Sequence, residues 1–287
     1  MLEFQHNFHT LAEREAAHDW LAALPNLLDM LCDKWQLQLA DPFTESTVSI
    51  AFAALRNGQR VVLKIQWPHP ECEFEADALR IWDGNGAIRL LEHDAENSAM
   101  LLEECLPGTH LSKSPDVDQI GVMIDLLPRL WTSTCAPFKS LKRECMDWST
   151  GMVSNWLDAG KPCERRLVDA ALDYIEILAD TQSEQVLIHQ DLHGDNVLAS
   201  QRDRWLAIDP KPLVGEREFG LSPVIRSFEF GECKQQVLGR LDRLTQELGL
   251  DRERSRGWTV AQTIAWSFTS CFAEQHYQTV RWLLDDQ

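Results

Sequence analysis

The hydrophobic pattern changes about a third of the way along the chain, and this change limits the folds that the chain can adopt. Two apolar stretches within residues 48–67 flank a polar turn at 56–59, which predicts a β-hairpin. A helix is predicted at 71–82, and two further short strands at 87–93 and 98–104. The first third of the chain is therefore predicted to be a small sheet crossed by one helix.

The segment Leu106-Pro107-Gly108 interrupts this pattern, and we expect a domain boundary there, between domains 1–105 and 106–287. Apolar residues beyond it recur near a period of 3.6, which indicates helices. The stretch 186–209 differs and is interpreted as a loop followed by a second hairpin. An amphipathic helix is also predicted at 16–36, where Pro25 should kink or split it. The helices predicted beyond the boundary span 118–134, 146–159, 165–182, 233–248 and 258–284.

Composition limits the location and partners of this chain. The 287 residues are 44% hydrophobic, which predicts a globular protein, and no apolar run reaches the roughly 18–20 residues of a membrane span. The first residues lack a signal-peptide pattern, and the eight cysteines form neither CxxC pairs nor zinc-like spacings with histidine. We therefore expect a cytoplasmic protein with reduced thiols and no membrane partner.

The chain carries a formal net charge of −18. A surface of this sign repels the phosphate backbone, so a nucleic-acid partner is not expected. Two interpretations of the acidity stay open. It could serve only solubility, or it could also attract a polycationic small molecule by electrostatic steering. The charge alone does not decide between them.

The sequence HQDLHGDN at 189–196, followed by Asp209 at the end of an apolar strand, carries the sharpest chemical signal. Asn196 opens the predicted second hairpin and Asp209 closes it, so their oxygen atoms should lie close together. Such ligands suit Mg²⁺, which takes one or two carboxylates together with substrate phosphates. Asp191, in the preceding loop, could accept a proton from an incoming hydroxyl. Each residue taken alone could equally be ordinary turn chemistry.

Lys64 lies within an otherwise apolar strand, Val61 to Ile65. It could be an edge-strand charge that reaches solvent, or the strand lysine that holds nucleotide phosphates and pairs with a helix glutamate. Two glutamates could be that partner. Glu75 shares a helix side with apolar residues, whereas Glu73 shares one with charged residues, so Glu75 is preferred.

At this point the sequence resembles the kinase-like aminoglycoside phosphotransferase superfamily, and within it the streptomycin 6-kinase and hydroxyurea phosphotransferase family. The matching stretches occur in order from about residue 43 to 221, which is more specific than any single motif. They are VVLKIQWP at 61–68, EADALRIWDGNGAIRLLEHD at 75–94, AMLLEECLPGTHLS at 99–112, VLIHQDLHGDNVLAS at 186–200 and WLAIDPKPLVGEREFGL at 205–221.

The resemblance implies an α+β, bilobal protein-kinase-like fold, with a small β-rich N-terminal lobe, a larger helical C-terminal lobe and ATP between them. It also implies a role for each matching position. Asp191 falls on the catalytic aspartate, Asn196 and Asp209 on the magnesium ligands, and Lys64 on the ATP-phosphate lysine with Glu75 as its partner. Glu104 to Leu106 fall on the segment whose backbone binds adenine, and His189 on a histidine that braces the loop.

The sequence also departs from the family pattern. The expected nucleotide loop, 43–49, contains no glycine, so its backbone cannot approach phosphate in the usual Gly-rich manner. Hydroxyls of Ser46, Thr47 or Ser49 could bind phosphate instead. Gly220 stands where many relatives carry an aspartate, and Asp195 is given no role.

The expected function is therefore ATP- and Mg²⁺-dependent phosphorylation of a small-molecule hydroxyl, with an aminoglycoside of the streptomycin type as acceptor. A metabolic kinase acting on a sugar or amino alcohol, or a non-catalytic nucleotide- or ligand-binding protein, stays open, because fold does not determine substrate. Acidic residues of the helical domain could bind a cationic acceptor, although such residues are more often solvated surface charges. The candidates are Glu216, Glu218, Glu229 and Glu274.

Overall fold

The described part of the chain forms two compact units. The computed structural model describes residues 18–43, 49–67, 73–134 and 137–286. The first unit ends at Leu106 and the second begins at Pro107, within the segment where the hydrophobic pattern changes. In the described ranges, no helix has both the length and the apolar character needed to cross a membrane.

The first unit is built on a five-stranded antiparallel sheet with strand order β1-β2-β3-β5-β4. Its elements are α1 (His18–Trp35), β1 (Leu37–Pro42), β2 (Ser49–Arg56), β3 (Gln59–Gln66), α2 (Glu75–Trp82), β4 (Leu90–Asp94) and β5 (Ala99–Glu103). Asn57 and Gly58 join β2 to β3 with positive φ angles of 52° and 79°, the conformation that a tight hairpin turn requires. Strand β1 was not predicted, and it pairs with the outer side of this hairpin.

Helix α1 covers one face of the sheet. Its buried residues Leu24, Leu28, Leu31 and Trp35 recur at helical spacing and join a hydrophobic cluster with the strands. Pro25 lies inside the helix, which runs unbroken from His18 to Trp35. The expectation that Pro25 splits the helix is therefore wrong, because the packing of this apolar face compensates for one missing backbone hydrogen bond.

The second unit is mostly helical and contains two short antiparallel pairs of strands, β6 with β9 and β7 with β8. Its elements are α3 (Gln119–Leu130), α4 (Leu141–Asp158), α5 (Arg165–Ala179), β6 (Gln185–Ile188), β7 (Val197–Ala199), β8 (Trp205–Ala207), β9 (Leu213–Glu216), α6 (Ser222–Arg226), α7 (Lys234–Leu248), α8 (Arg252–Ser267) and α9 (Ala273–Leu284).

Two sequence predictions for this unit are corrected. The segment 186–188, assigned to a loop, belongs to strand β6, which pairs with β9 at a sequence distance that local patterns do not reveal. The single helix predicted at 258–284 is two helices, α8 and α9. Helix α8 packs against α5, α6, α7 and α9 and is buried on all sides from Ser255 to Ile264, so its burial does not follow the amphipathic pattern used to predict it.

Candidate active site

The loop before β7 is held by hydrogen bonds to three consecutive backbone carbonyls. The carbonyl of His189 accepts from the backbone N–H of Lys211 at 3.0 Å, and that of Gln190 accepts from Nε2 of Gln262 at 3.1 Å. The carbonyl of Asp191 accepts from Nδ2 of Asn196 at 2.8 Å. Gln190 has a positive φ of 64°, an uncommon conformation for a residue other than glycine. These contacts hold the backbone that presents Asp191.

His189 braces this loop from inside the unit. It is 3% exposed, and its Nε2 donates to the carbonyl of Ile208 at 2.8 Å, next to Asp209. Its Nδ1 accepts from the backbone N–H of Asp191 at 3.4 Å. Burial lowers the pKa of His189 to about 4, so the ring is neutral near pH 7 and can make both contacts at once.

Asn196 and Asp209 lie at the open end of the β7–β8 pair, as their positions in the sequence predict. The backbone N–H of Ile208 donates to the carbonyl of Asn196 at 3.0 Å, which places Asn196 opposite the residue before Asp209. Because Nδ2 of Asn196 is committed to Asp191, Oδ1 is the remaining polar atom of that amide. An amide oxygen and a carboxylate form a donor set that fits Mg²⁺.

Two cations contact the carboxylate of Asp191. Nζ of Lys211 lies 3.2 Å from Oδ2, and Nη2 of Arg226 lies 3.5 Å from Oδ1. Burial alone would raise the pKa of Asp191, but the charges of Lys211, His193 and Arg226 outweigh it and hold that pKa below its usual value. Asp191 is therefore ionised near pH 7 and able to accept a proton.

A polar cluster supports the other side of this loop. Nδ1 of His193 lies 2.8 Å from Oε1 of Glu229, and the hydroxyl of Ser112 donates to the carboxylate of Asp195. Burial would lower the pKa of His193, but the hydrogen bond to Glu229 and the charge of Asp191 raise it. A Cβ at Gly194 would lie 2.6 Å from Oε2 of Glu229 and 3.0 Å from Cβ of Ser112, so a larger residue there would displace the Glu229 side chain. Glu229 thus lies beside the loop of the proposed base.

In the first unit, strand alternation separates Lys64 from the core beneath α1. Leu63 and Ile65 join that core, so Lys64 and Gln66 point to the opposite face of the sheet. There Nζ of Lys64 lies 2.8 Å from both carboxylate oxygens of Glu75, and Nε2 of Gln66 donates to the same group at 2.5 Å. Lys64 and Glu75 are 6% and 3% exposed, whereas Glu73 is exposed.

The other expected nucleotide-binding residues are only partly described. Ser46 and Thr47 lie outside the described residues. The carboxylate of Glu104 makes two hydrogen bonds to Arg60, at 2.6 and 2.9 Å, and its side chain is 8% exposed. Leu106, half-buried, ends the first unit. The side chain of Glu104 is thus engaged with Arg60, and any adenine contact would fall to the backbone, as the resemblance implies.

Three of the four acidic candidates for acceptor binding have other partners. Glu216 is fully buried, forms an ion pair with Arg254 at 2.7 Å and accepts from Nε1 of Trp258. Glu218 is buried and accepts from the backbone N–H of Asp251 at 3.4 Å. Glu274 is exposed and pairs with Arg281. Glu216 and Glu218 are therefore internal structural groups, and neither the acceptor-binding nor the surface-charge interpretation applies to them.

Comparison with known proteins identifies the family. A family model described as aminoglycoside/hydroxyurea antibiotic resistance kinase matches residues 34–270, which is most of the chain. The chain belongs to this kinase family. It is 37% identical over 263 residues to a streptomycin 6-kinase of Streptomyces glaucescens, covering 87% of this chain and 84% of that protein. It is also 37% identical to a hydroxyurea phosphotransferase of Kitasatospora aureofaciens, covering 87% of this chain and 74% of that protein.

Solved structures show the fold of this kinase. It matches the aminoglycoside phosphotransferase APH(4)-Ia with a TM-score of 0.68 at 14% identity, over 92% of this chain and 99% of that chain. A thermostable mutant of that enzyme has been crystallised in a ternary complex with ADP and hygromycin B. The fold is thus protein-kinase-like, as the resemblance implied, and the chain is a phosphotransferase.

Four residues of this kinase were missed by the sequence analysis. Lys211, Arg226 and Gln262 contact the loop at 189–191, and Trp266 contacts the side chains of Lys211 and Arg226. Lys211 stood inside a matching stretch, two residues after Asp209, and its charge in an apolar context was the available signal. Arg226 and Gln262 lie in buried helices and carry no local signal. Trp266 lies over both cations, with Nζ of Lys211 at 5.1 Å and Cζ of Arg226 at 4.8 Å from its ring centroid.

Proposed function

We propose that this kinase uses ATP and Mg²⁺ to phosphorylate a hydroxyl of a cationic small molecule, with streptomycin as the best single candidate. The observation that carries the proposal is the ionised carboxylate of Asp191, held beside the donor set of Asn196 and Asp209. The streptomycin 6-kinase relative supports the choice of acceptor. Because ATP is an intracellular substrate, we also propose that the protein works in the cytoplasm.

In this mechanism Asp191 is the general base. Its carboxylate orients the acceptor hydroxyl and takes its proton as the phosphoryl group is transferred. Oδ1 of Asn196 and the carboxylate of Asp209 would hold Mg²⁺, which neutralises phosphate charge when bound. His189 and Gln262 keep the loop in place while the hydroxyl approaches, so the chain supplies positioning and charge rather than a covalent intermediate.

ATP binding in the first unit is proposed to depend on Lys64 and Glu75. The ammonium group of Lys64 would contact the α- and β-phosphates, and Glu75 would hold that ammonium group in place. The hydroxyls of Ser46 and Thr47 would add phosphate contacts, and the backbone from Glu104 to Leu106 would bind adenine. These roles rest on the family resemblance and on the buried ion pair.

A double-mutant cycle tests the pairing of Lys64 with Glu75. We expect Lys64→Ala and Glu75→Ala each to raise the KM for ATP, and the double variant to be less impaired than the sum of the two, because both remove one interaction. Exposed Glu73 is the matched control, and Glu73→Ala should not couple to Lys64→Ala. Steady-state kinetics measures all the variants, and additive effects at Lys64 and Glu75 would contradict the pairing.

The proposed acceptor is recognised by negative charge. Glu229 is the only one of the four acidic candidates that contacts the loop at 189–196, through His193. The net charge of −18 would raise the local concentration of a cation around the protein. A screen of candidate hydroxyl compounds, with mass detection of an added HPO₃ group, tests the proposal most directly. Phosphorylation of neutral metabolites alone would exclude the resistance function but keep the kinase.

Salt dependence separates a cationic acceptor from a neutral one. We expect kcat/KM for streptomycin to fall as ionic strength rises, because charges more than about 10 Å apart are screened at 0.1 M salt. The value for ATP, which is anionic, should change less or in the opposite direction. Stopped assays at a series of potassium chloride concentrations measure both, and a salt-independent value for streptomycin would contradict electrostatic attraction.

Hydroxyurea is a second candidate acceptor, since a hydroxyurea phosphotransferase is as similar in sequence as the streptomycin 6-kinase. Hydroxyurea is neutral, so its kcat/KM should be insensitive to salt. Assays with both compounds under the same conditions distinguish the two functions, and turnover of neither would favour a metabolic acceptor or a non-catalytic binding role.

A further inference from the structure

Lys211 is placed beside the proposed base by its backbone and its side chain. Its backbone N–H donates to the carbonyl of His189 at 3.0 Å, which ties it to the loop at 189–191. Its Nζ lies 3.2 Å from Oδ2 of Asp191, and its side chain is 31% exposed. Lys211 follows the proposed metal ligand Asp209 by two residues. A cation therefore lies next to the carboxylate of the proposed base.

The carboxylate of Asp191 is in contact with two cations, Lys211 and Arg226. The side chain of Arg226 is only 10% exposed. The charge of Glu229 acts on Arg226 as well. When the acceptor proton reaches Asp191, the carboxylate becomes neutral. Its attraction for both cations then falls. Of the two, Lys211 has the more exposed side chain, so its ammonium group is the more accessible to a ligand.

The aromatic ring of Trp266 lies against both cations. Nζ of Lys211 is 5.1 Å from the ring centroid and Cζ of Arg226 is 4.8 Å from it, both within the range of cation–π contacts. Trp266 lies near the end of α8, the same buried helix from which Gln262 holds the carbonyl of Gln190. One rigid helix therefore supports both the loop of the base and the side chains that contact it.

We propose that Lys211 is a further catalytic residue of this kinase, whose ammonium group stabilises the transferring phosphoryl group, and that Trp266 is a positioning residue that aims it. The proposal rests on the proposed role of Asp191. In the reaction, the acceptor oxygen bonds to the γ-phosphorus of ATP, and the bond from that phosphorus to the bridging oxygen breaks, leaving its electron pair on ADP. The hydroxyl proton passes to Asp191.

The physical reason is the change of charge during transfer. Before transfer, Lys211 pairs with ionised Asp191, which orients the hydroxyl. As Asp191 takes the proton, its attraction for the ammonium group falls, while the phosphoryl oxygens next to it carry negative charge. An interaction that strengthens in the transition state raises kcat rather than ground-state affinity. Lys211 should therefore affect turnover more than ATP binding.

The first test compares Lys211→Met, which removes the charge, with Lys211→Arg, which keeps it. We expect Lys211→Met to lower kcat by about 10²- to 10³-fold, the usual effect of removing one charge-stabilising group, with the KM for ATP changed less than about threefold. Lys211→Arg should keep about a tenth or more of the wild-type kcat, because its charge is retained. Thermal melting shows whether Lys211→Met is folded. If it is not, Lys211→Gln is used in its place.

A matched control is Lys139→Met, because Lys139 is a similarly exposed lysine that pairs with Glu144 and Asp147 instead of Asp191. It should leave kcat within about twofold, since the pairs it breaks lie at the surface. A kcat for Lys211→Met within about threefold of wild type, beside an inactive Asp191→Asn, would overturn the proposal and leave the base intact. Full activity of Asp191→Asn would instead overturn the proposed function on which it rests.

A binding measurement tests the same proposal without turnover. Magnesium ADP with aluminium fluoride and the acceptor imitates the transferring phosphoryl group, and such mimics bind more tightly than ground-state ligands. By isothermal titration, Lys211→Met should weaken this complex by about 10-fold or more while leaving magnesium ADP alone unchanged. Equal weakening of both would show a role in nucleotide binding only and would overturn the proposal.

Trp266 is tested by two substitutions of different chemistry. Trp266→Phe keeps an aromatic face, and Trp266→Leu keeps apolar volume without one. We expect Trp266→Leu to lower kcat about 10-fold with the KM for ATP unchanged, and Trp266→Phe to recover most of the activity, because phenylalanine keeps an aromatic face for the two cations. Equal kcat values for the two variants would exclude the positioning role.

Discussion

Replacing Asp191 with asparagine is expected to lower kcat by about 10²- to 10⁴-fold, the range that one general base contributes. Asparagine keeps the shape of the side chain and can still orient a hydroxyl, but it cannot accept the proton. Binding of ATP should be retained, because the proposed ATP contacts are made by other residues. Steady-state kinetics and isothermal titration measure the two quantities separately.

The controls for Asp191→Asn concern charge and folding. Asparagine removes one of the two carboxylates whose charges act on Arg226, which is 10% exposed, so we expect a lower melting temperature, from a loss on the order of 1–3 kcal/mol. Asp180→Asn is the control for a carboxylate removed elsewhere, since Asp180 is exposed and pairs with Lys142. A folded Asp191→Asn variant with more than about a tenth of wild-type kcat would show that Asp191 is not the base.

Replacing Asp209 with alanine is expected to abolish the effect of Mg²⁺ on ATP binding. Carboxylates are the protein ligands that Mg²⁺ prefers, and the amide oxygen of Asn196 alone would hold the ion poorly. Isothermal titration of ATP with and without Mg²⁺ should show two different affinities in the wild-type protein and nearly equal ones in the variant. The kcat should fall by several orders of magnitude, because phosphate charge is no longer neutralised.

Asp203 provides the matched control, because it lies in the turn of the same β7–β8 pair and its carboxylate accepts from Arg129. Asp203→Ala should keep the full effect of Mg²⁺. Asp209 also has a positive φ of 54°, which alanine adopts less readily than aspartate, so Asp209→Asn is a useful second variant. If Asp209→Ala and Asp209→Asn both keep the effect of Mg²⁺, the metal binds elsewhere.

Local patterns were sufficient where one strand or helix decided the outcome. Strand alternation put Lys64 on the face opposite Leu63, and the helical spacing of Glu75 placed it inward, so the buried ion pair could be anticipated. The hairpin that brings Asn196 next to Asp209 has both strands and its turn within fourteen residues, and that too is a local feature.

Long-range packing was decisive where the sequence predictions failed. Strand β6 pairs with β9, and helix α8 is buried on every side, so neither shows the alternation or the single apolar face that reveals an element locally. Glu216 was predicted to be either an acceptor-binding residue or a surface charge, since most glutamates are exposed, but Arg254 and Trp258 of α8 enclose it. No local sequence pattern around Glu216 predicts an ion pair with an arginine 38 residues away.

The sequence by itself determined the kinase family, the order of its elements and the residues proposed as base, metal ligands and phosphate-binding lysine, because their chemistry is written in short, ordered motifs. Only the tertiary structure decided how Asp191 is held. Lys211, Arg226, Gln262 and Trp266 reach its loop from elements up to 75 residues further along the chain. Tertiary packing brings these residues together, and such long-range contacts produce no periodic pattern in the sequence.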